Sequence, residues 1–148
     1  MSRKIGFWLL SCTWGVAITL IGSIAAVGLL VTGHKPHTYK GSVYFKVGKA
    51  WGGVNFGPFF FVDNKTTLTT VQHEWGHGIQ NIIMGPFHLI FACCSFVRYH
   101  YRNFITSKYC PKRWRKTYRE LSDYDSFWFE GWATNLGKKY YKEGDYHA

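Results

Sequence analysis

His73-Glu74-Trp75-Gly76-His77 sets two histidines four residues apart, with a glutamate directly after the first. On a helix, residues i and i+4 are neighbours on one face, so two imidazole nitrogens can meet one ion. Zinc takes such nitrogens at about 2.0–2.1 Å. Glu74 lies about 100° further round the same helix, where its carboxylate reaches the open side of the metal and is set to act as a base on zinc-activated water. A catalytic zinc also needs a third protein ligand and an open fourth position. Of the downstream acids Glu120, Asp123, Asp125, Glu130, Glu143 and Asp145, only Glu130 falls inside an expected helix with small residues beside it. Phe127, Trp128, Phe129 and Trp132 surround it in sequence, an environment in which an unpaired carboxylate is costly and a coordinated one is not. Ala133 and Gly137 leave room for that helix to lie close to the helix of the histidines.

The histidine pair requires a helix, and the pattern supplies one over about 68–84. Thr66, Thr67 and Thr69 offer capping oxygens before it, and Gly85-Pro86 stops it. At 100° per residue, Leu68, Val71, Trp75, Ile79 and Ile82 fall on one face. His73, His77, Gln80 and Met84 fall on the other, so the histidines are not filling holes in the apolar stripe. Gln80 reads as a polar neighbour of the site, not as a ligand. A last helix is expected over about 126–141, with Ser122 to Asp125 supplying its caps. Before the motif, Ser42 to Val47 alternates as a half-buried strand does, and a second β-rich run covers 54–62, the two suggesting a hairpin with Pro58 on an edge strand. Residues 87–97 are apolar but too short to span a bilayer, which leaves a core helix or an interfacial segment. The tail from Lys142 reads as frayed.

From Ile5 to Gly33 there is no charged side chain, and that run exceeds the roughly 20 residues a helix needs to cross hydrocarbon. Arg3, Lys4 and the stretch Ser23 to Ala26 would also suit a cleaved signal peptide, but apolar sequence continues well past the about 7–15 residues of a signal core. The expected organisation is therefore a single-pass anchor over 1–33 that meets the lipid bilayer, a linker over 34–41 and an α+β domain over 42–148. Arg3 and Lys4 favour an inward N-terminus while Lys35, Lys40, Lys46 and Lys49 favour the reverse, so the side of the membrane stays open. The net charge is +10, and residues 98–119 carry eight basic residues and no acid. Beside a membrane such a run attracts anionic lipid headgroups at about 1 kcal/mol per residue. It accompanies no recognised nucleic-acid module, so a nucleic acid is not an expected partner. Cys12, Cys93, Cys94 and Cys110 form no disulfide framework and read as small buried hydrophobes.

The pairing of His73-Glu74-Trp75-Gly76-His77 with Glu130-Gly131-Trp132-Ala133 resembles the gluzincin arrangement, HExxH followed by ExxA, of thermolysin-like enzymes and small membrane-bound zinc endopeptidases. GVNFGPFFFV, HEWGHGIQ, GPFHLI and WFEGWATNLG, in that order between Gly53 and Gly137, are together similar to short bacterial zincin-like membrane proteins. The resemblance implies a zincin-like domain that holds one zinc ion with His73, His77 and Glu130 and uses Glu74 as general base in hydrolysis of a peptide or protein substrate. It further implies that the VNFGPFFFV strand aligns the substrate by strand addition, and that Tyr124, His100 or His88 stabilises the oxyanion. Two departures stand out. Gln80 and Ile83 occupy the positions of the metzincin glycine and third histidine, and Thr134 replaces the aspartate that orients a zinc histidine in thermolysin-like enzymes. The other reading of the same residues is a non-catalytic membrane protein of this fold that binds anionic lipid or a protein partner.

Overall fold

The run Phe59-Phe60-Phe61-Val62 has no polar side to offer water, so a strand built from it must be covered on both faces. In the computed structural model, which describes residues 3–140, it is covered in that way. Among the described residues the helices are α1 (Arg3–Thr13), α2 (Val16–Val31), α3 (Leu68–Met84), α4 (His88–Thr106) and α5 (Trp128–Lys139). The strands are β1 (Pro36–Tyr39), β2 (Ser42–Lys46), β3 (Gly53–Phe56) and β4 (Phe59–Val62), and the fold class is α+β as expected. They form one sheet in the order β1-β2-β4-β3, with β2 and β4 parallel and the outer pairs antiparallel. Tyr44, Phe60 and Val62 point to one face and pack with Val71 and Trp75 of α3. Phe45 and Phe61 point to the other and pack with Ala26 of α2.

Several expectations change. Val54 to Val62 is not one strand but a hairpin of its own, because Gly57 at φ 71° turns the chain before Pro58. The expected 42–62 hairpin is replaced by the parallel β2–β4 pairing, and Pro58 precedes a central strand instead of marking an edge. The segment read as a linker contains β1, which pairs with β2 across a turn in which Lys40 and Gly41 both have positive φ. Because α3 covers the second face of the sheet, Tyr44 is buried and β2 is not half-exposed. The apolar run at 87–97 extends as α4 through Thr106, and Arg98 and Arg102 belong to that helix. Residues 124–126 form a 3₁₀ turn, so α5 starts two residues late, at Trp128, with no side-chain cap. Tyr141 and the tail expected to fray lie outside the described residues. Three of the four cysteines, Cys12, Cys93 and Cys94, are exposed; only Cys110 is buried.

The uninterrupted helix expected over 5–33 is broken. The chain bends by 102° between α1 and α2, at Trp14-Gly15. Gly15 is required there because the Asn81 amide occupies the space a Cβ would need, and Trp14 likewise lies where a Cβ on Gly85 would sit. Each half is also tied to the sheet. Trp8 Nε1 donates to Gly41 O at 2.7 Å, and Gly22 of α2 lies against Phe56 and Phe59. Residues 3–31 are thus a packed layer of the fold. One continuous helical run, Leu68–Thr106, is long and apolar enough to cross a membrane, and the bent α1–α2 pair reaches that standard only when its halves are taken together. Outward-facing apolar side chains gather on α2, at Leu20, Ile24, Val27 and Val31, and on α4, at Ile90, Phe96, Val97 and Phe104.

Candidate metal centre

The helix of the histidines has the bounds its sequence predicts. Thr67 caps it by accepting from Thr70 N at 3.4 Å, and Gly85 at φ 56° ends it. Against it lies α5. A Cβ on Gly76 would collide with the Ala133 carbonyl and one on Gly137 with the Gln72 carbonyl. These bare positions let the helix backbones approach closely enough for Glu130 to reach across to both histidines.

Three atoms converge there. His73 Nε2 is 3.2 Å from His77 Nε2, and Glu130 Oε2 lies 3.1 Å from the first and 3.3 Å from the second. Ligand atoms about 2.05 Å from a tetrahedral ion stand about 3.3 Å apart, so the triangle has the size of one face of a zinc tetrahedron. Their hydrogen-bond partners fix what each atom presents. Thr134 Oγ1 donates to Asp125 Oδ2 at 3.0 Å, so its oxygen accepts from His73 Nδ1–H at 2.8 Å. Gln80 Nε2 donates to Phe129 O at 2.7 Å, leaving Oε1 to accept from His77 Nδ1–H at 2.7 Å. With both Nδ1 atoms committed as donors, each neutral ring turns a lone pair at Nε2 toward a carboxylate oxygen. Three acceptors at this separation repel unless a cation lies among them.

In the metal-free chain a proton on an imidazole can take that part. Burial works against the charged Glu130, yet hydrogen bonds from His73 and His77 outweigh it and hold the carboxyl well below the usual carboxylate range. A proton serves one acceptor pair at a time, whereas a divalent cation serves all three. Glu130 Oε1, the other oxygen, accepts from the Ser95 hydroxyl, so only Oε2 faces the histidines. The donor set of two imidazoles and a carboxylate suits zinc.

Glu74 is buried beside this group, and its carboxylate has no hydrogen-bond partner among the described residues. Gly53 of β3 faces it so closely that a Cβ would lie 2.5 Å from Glu74 Oε1. Asn55 secures the approach by donating to Glu74 O at 2.8 Å. His73, His77, Glu74 and Glu130 line a common cavity of about 960 Å³, bordered by β3, which is the edge strand next to β4. Of the three expected oxyanion donors, His100 is exposed and rests on Phe96, His88 is buried with Nδ1 unpartnered among the described residues, and Tyr124 bonds to Ser95 at 3.0 Å; all three border the cavity. Because Ser95 gives its proton to Glu130, Tyr124 is the donor in that pair. Burial pushes the Tyr124 hydroxyl up to about 12, with the Ser95 hydrogen bond opposing, so the group keeps its proton at neutral pH.

The fold brings His73, His77 and Glu130 together and sets Glu74 on the same cavity. Ser95, Asn55 and the Asp125–Thr134 pair, which carry no local signal in the sequence, join them. Gln80 carried the one readable signal, since a residue three beyond His77 shares its helix face. No protein-family model, curated protein or solved structure matches the chain.

Proposed function

We propose that this chain is a membrane-associated zinc-dependent peptide hydrolase with the gluzincin set of residues. The observation that carries the reading is the convergence of two imidazole lone pairs and a buried carboxylate on one point, with a second buried carboxylate beside them and a cavity in front. His73, His77 and Glu130 would hold the ion. A zinc ion so held polarises a substrate carbonyl and activates water for attack. Glu74 takes the proton from the attacking water and passes it to the leaving amine, a task its unpartnered carboxylate is free to perform. Tyr124, joined to Glu130 by two hydrogen bonds through Ser95, borders the cavity and would turn its one proton from Ser95 to the developing oxyanion. The open edge of β3 offers backbone groups along which an extended peptide can align.

The experiment is a metal count on the purified full chain, joined to hydrolysis of a quenched fluorescent peptide library. One zinc per chain and a chelator-sensitive cleavage are expected. A chain that folds without retaining zinc, or cleavage that survives complete zinc removal, sinks the proposal. Zinc retained with no cleavage of any peptide would favour the non-catalytic reading.

Membrane association rests on the outward apolar faces of α2 and α4, too extensive for a water-exposed surface of a small domain. The basic residues beyond α4, Lys108, Lys112, Arg113, Arg115 and Lys116, with exposed Tyr109 and Trp114, add the mixture of charge and aromatic rings suited to a headgroup layer. Insertion predicts that the chain stays with the membrane fraction through washes at high salt and alkaline carbonate and is released by detergent. Release by salt alone would reduce the association to electrostatics.

A further inference from the structure

Thr134 leaves no acid directly behind His73, yet the ring is not without one. Asp125, outside α5 and nine residues earlier, lies behind the Thr134 hydroxyl. We propose that Asp125 is a positioning residue for metal binding, acting through Thr134 to fix the tautomer and orientation of His73; this rests on the metal reading of the site. The direction of the chain is set by donor and acceptor chemistry. The carboxylate accepts the Thr134 proton at 3.0 Å, the Thr134 oxygen accepts His73 Nδ1–H at 2.8 Å, and Nε2 is left as the lone pair that faces His77 and Glu130. A negative charge at the far end raises the basicity of the ring at Nε2, as carboxylates behind ligating histidines do.

The position of Asp125 is held by its own turn and by two neighbouring helices. The 3₁₀ turn Tyr124–Ser126 carries it, and Arg98 of α4 clamps that turn by donating to Tyr124 O at 2.7 Å and Asp123 O at 3.2 Å. The Arg98 guanidinium also lies over the rings of Tyr124 at 5.5 Å and Phe127 at 5.6 Å. From the other side, Gly131 of α5 admits the turn, since a Cβ there would stand 2.5 Å from Asp125 O. Three elements thus press one exposed aspartate toward one hydroxyl.

The test measures zinc affinity of the full chain in detergent by competition with a chromophoric chelator, with no need for a substrate. Asp125→Ala and Thr134→Val are each expected to weaken zinc binding by about 10–100-fold. The double variant should bind no more weakly than the weaker single one, because both remove the same chain of bonds. Thr134→Ser, which keeps the hydroxyl, should restore wild-type affinity. The thermal midpoint of the zinc-free chain should be nearly the same in all four, since Asp125 is exposed and Thr134 only half-buried. Wild-type affinity in both single variants, or losses that add in the double variant, would overturn the proposal while leaving the metal centre standing. Absence of zinc binding in the wild type would remove both.

Discussion

Glu74→Gln is expected to keep its zinc and lose hydrolysis by a factor of about 10²–10⁴, the range that positioned acid–base groups contribute. The substitution preserves shape in a place where shape is constrained, since the side chain fits between α3 and the bare backbone of Gly53. It removes only the capacity to take a proton. Zinc content should not change, because the converging atoms belong to His73, His77 and Glu130 and each is fixed by a partner other than Glu74. An amide also forfeits nothing in hydrogen bonding, as the carboxylate has no bond to lose among the described residues. The measurement is kcat/KM on the best peptide substrate beside a metal count on the same preparation. Full activity in the glutamine variant would remove Glu74 from the chemistry, and loss of zinc would make it a structural support of the metal.

Much of this site was legible because its converging side chains are set by local rules. The face carrying His73 and His77 follows from the 100° helical step, and the bounds of α3 follow from Thr67 and from Gly85, whose positive φ few other residues adopt. Glu130 was recognisable because a carboxylate among four aromatic residues demands a reason. The support behind these ligands was not legible. Thr134 reads as a lost acid when only its own position is considered; its partner Asp125 arrives through a 3₁₀ turn held by Arg98, a residue of another helix that composition assigns to a basic run facing lipid headgroups. Ser95 was hidden in the same way inside an apolar segment, where nothing local marks it as facing Glu130.

The fold was readable to the extent that pairing was local. Apolar content over 5–33 identified a water-averse segment but not its bend, which depends on Gly15 meeting Asn81 and Gly85 meeting Trp14, contacts between elements far apart in sequence. The β3–β4 hairpin carries its own turn in Gly57-Pro58, yet it was merged into one strand because aromatic residues continue through the turn without a polar break. Parallel pairing of β2 with β4 has no local signal at all. These misses share a consequence for function. The N-terminal helices are not a tether ahead of a separate domain but one wall of the fold, with α1 packed on α3, which carries the histidines, and α2 on β3, which carries Gly53.

Glu130→Gln tests the other half of the centre, and its effect is expected to exceed that of any supporting residue. Zinc at 100 times its dissociation constant should stabilise the wild type by about 2.7 kcal/mol, seen as a rise in thermal midpoint. In Glu130→Gln the rise should vanish at the same zinc concentration, because a neutral amide oxygen replaces the one anionic ligand and the loss of affinity passes the roughly 10–100-fold that outer partners command. The zinc-free chain provides the control. There Glu130 is held below its ordinary pKa, so its pairing stabilises the fold fully above the unfolded value of about 4.3 and is lost as pH falls toward the depressed folded value. The wild-type midpoint should therefore decline with acid more steeply than that of Glu130→Gln. If Glu130 serves only as an ion-pair partner of protonated His73 and His77, the acid dependence will differ between the two proteins while zinc moves neither midpoint. A zinc-induced rise that requires Glu130 separates coordination from that simpler pairing, since a proton can satisfy the carboxylate without drawing both imidazole lone pairs to the same point.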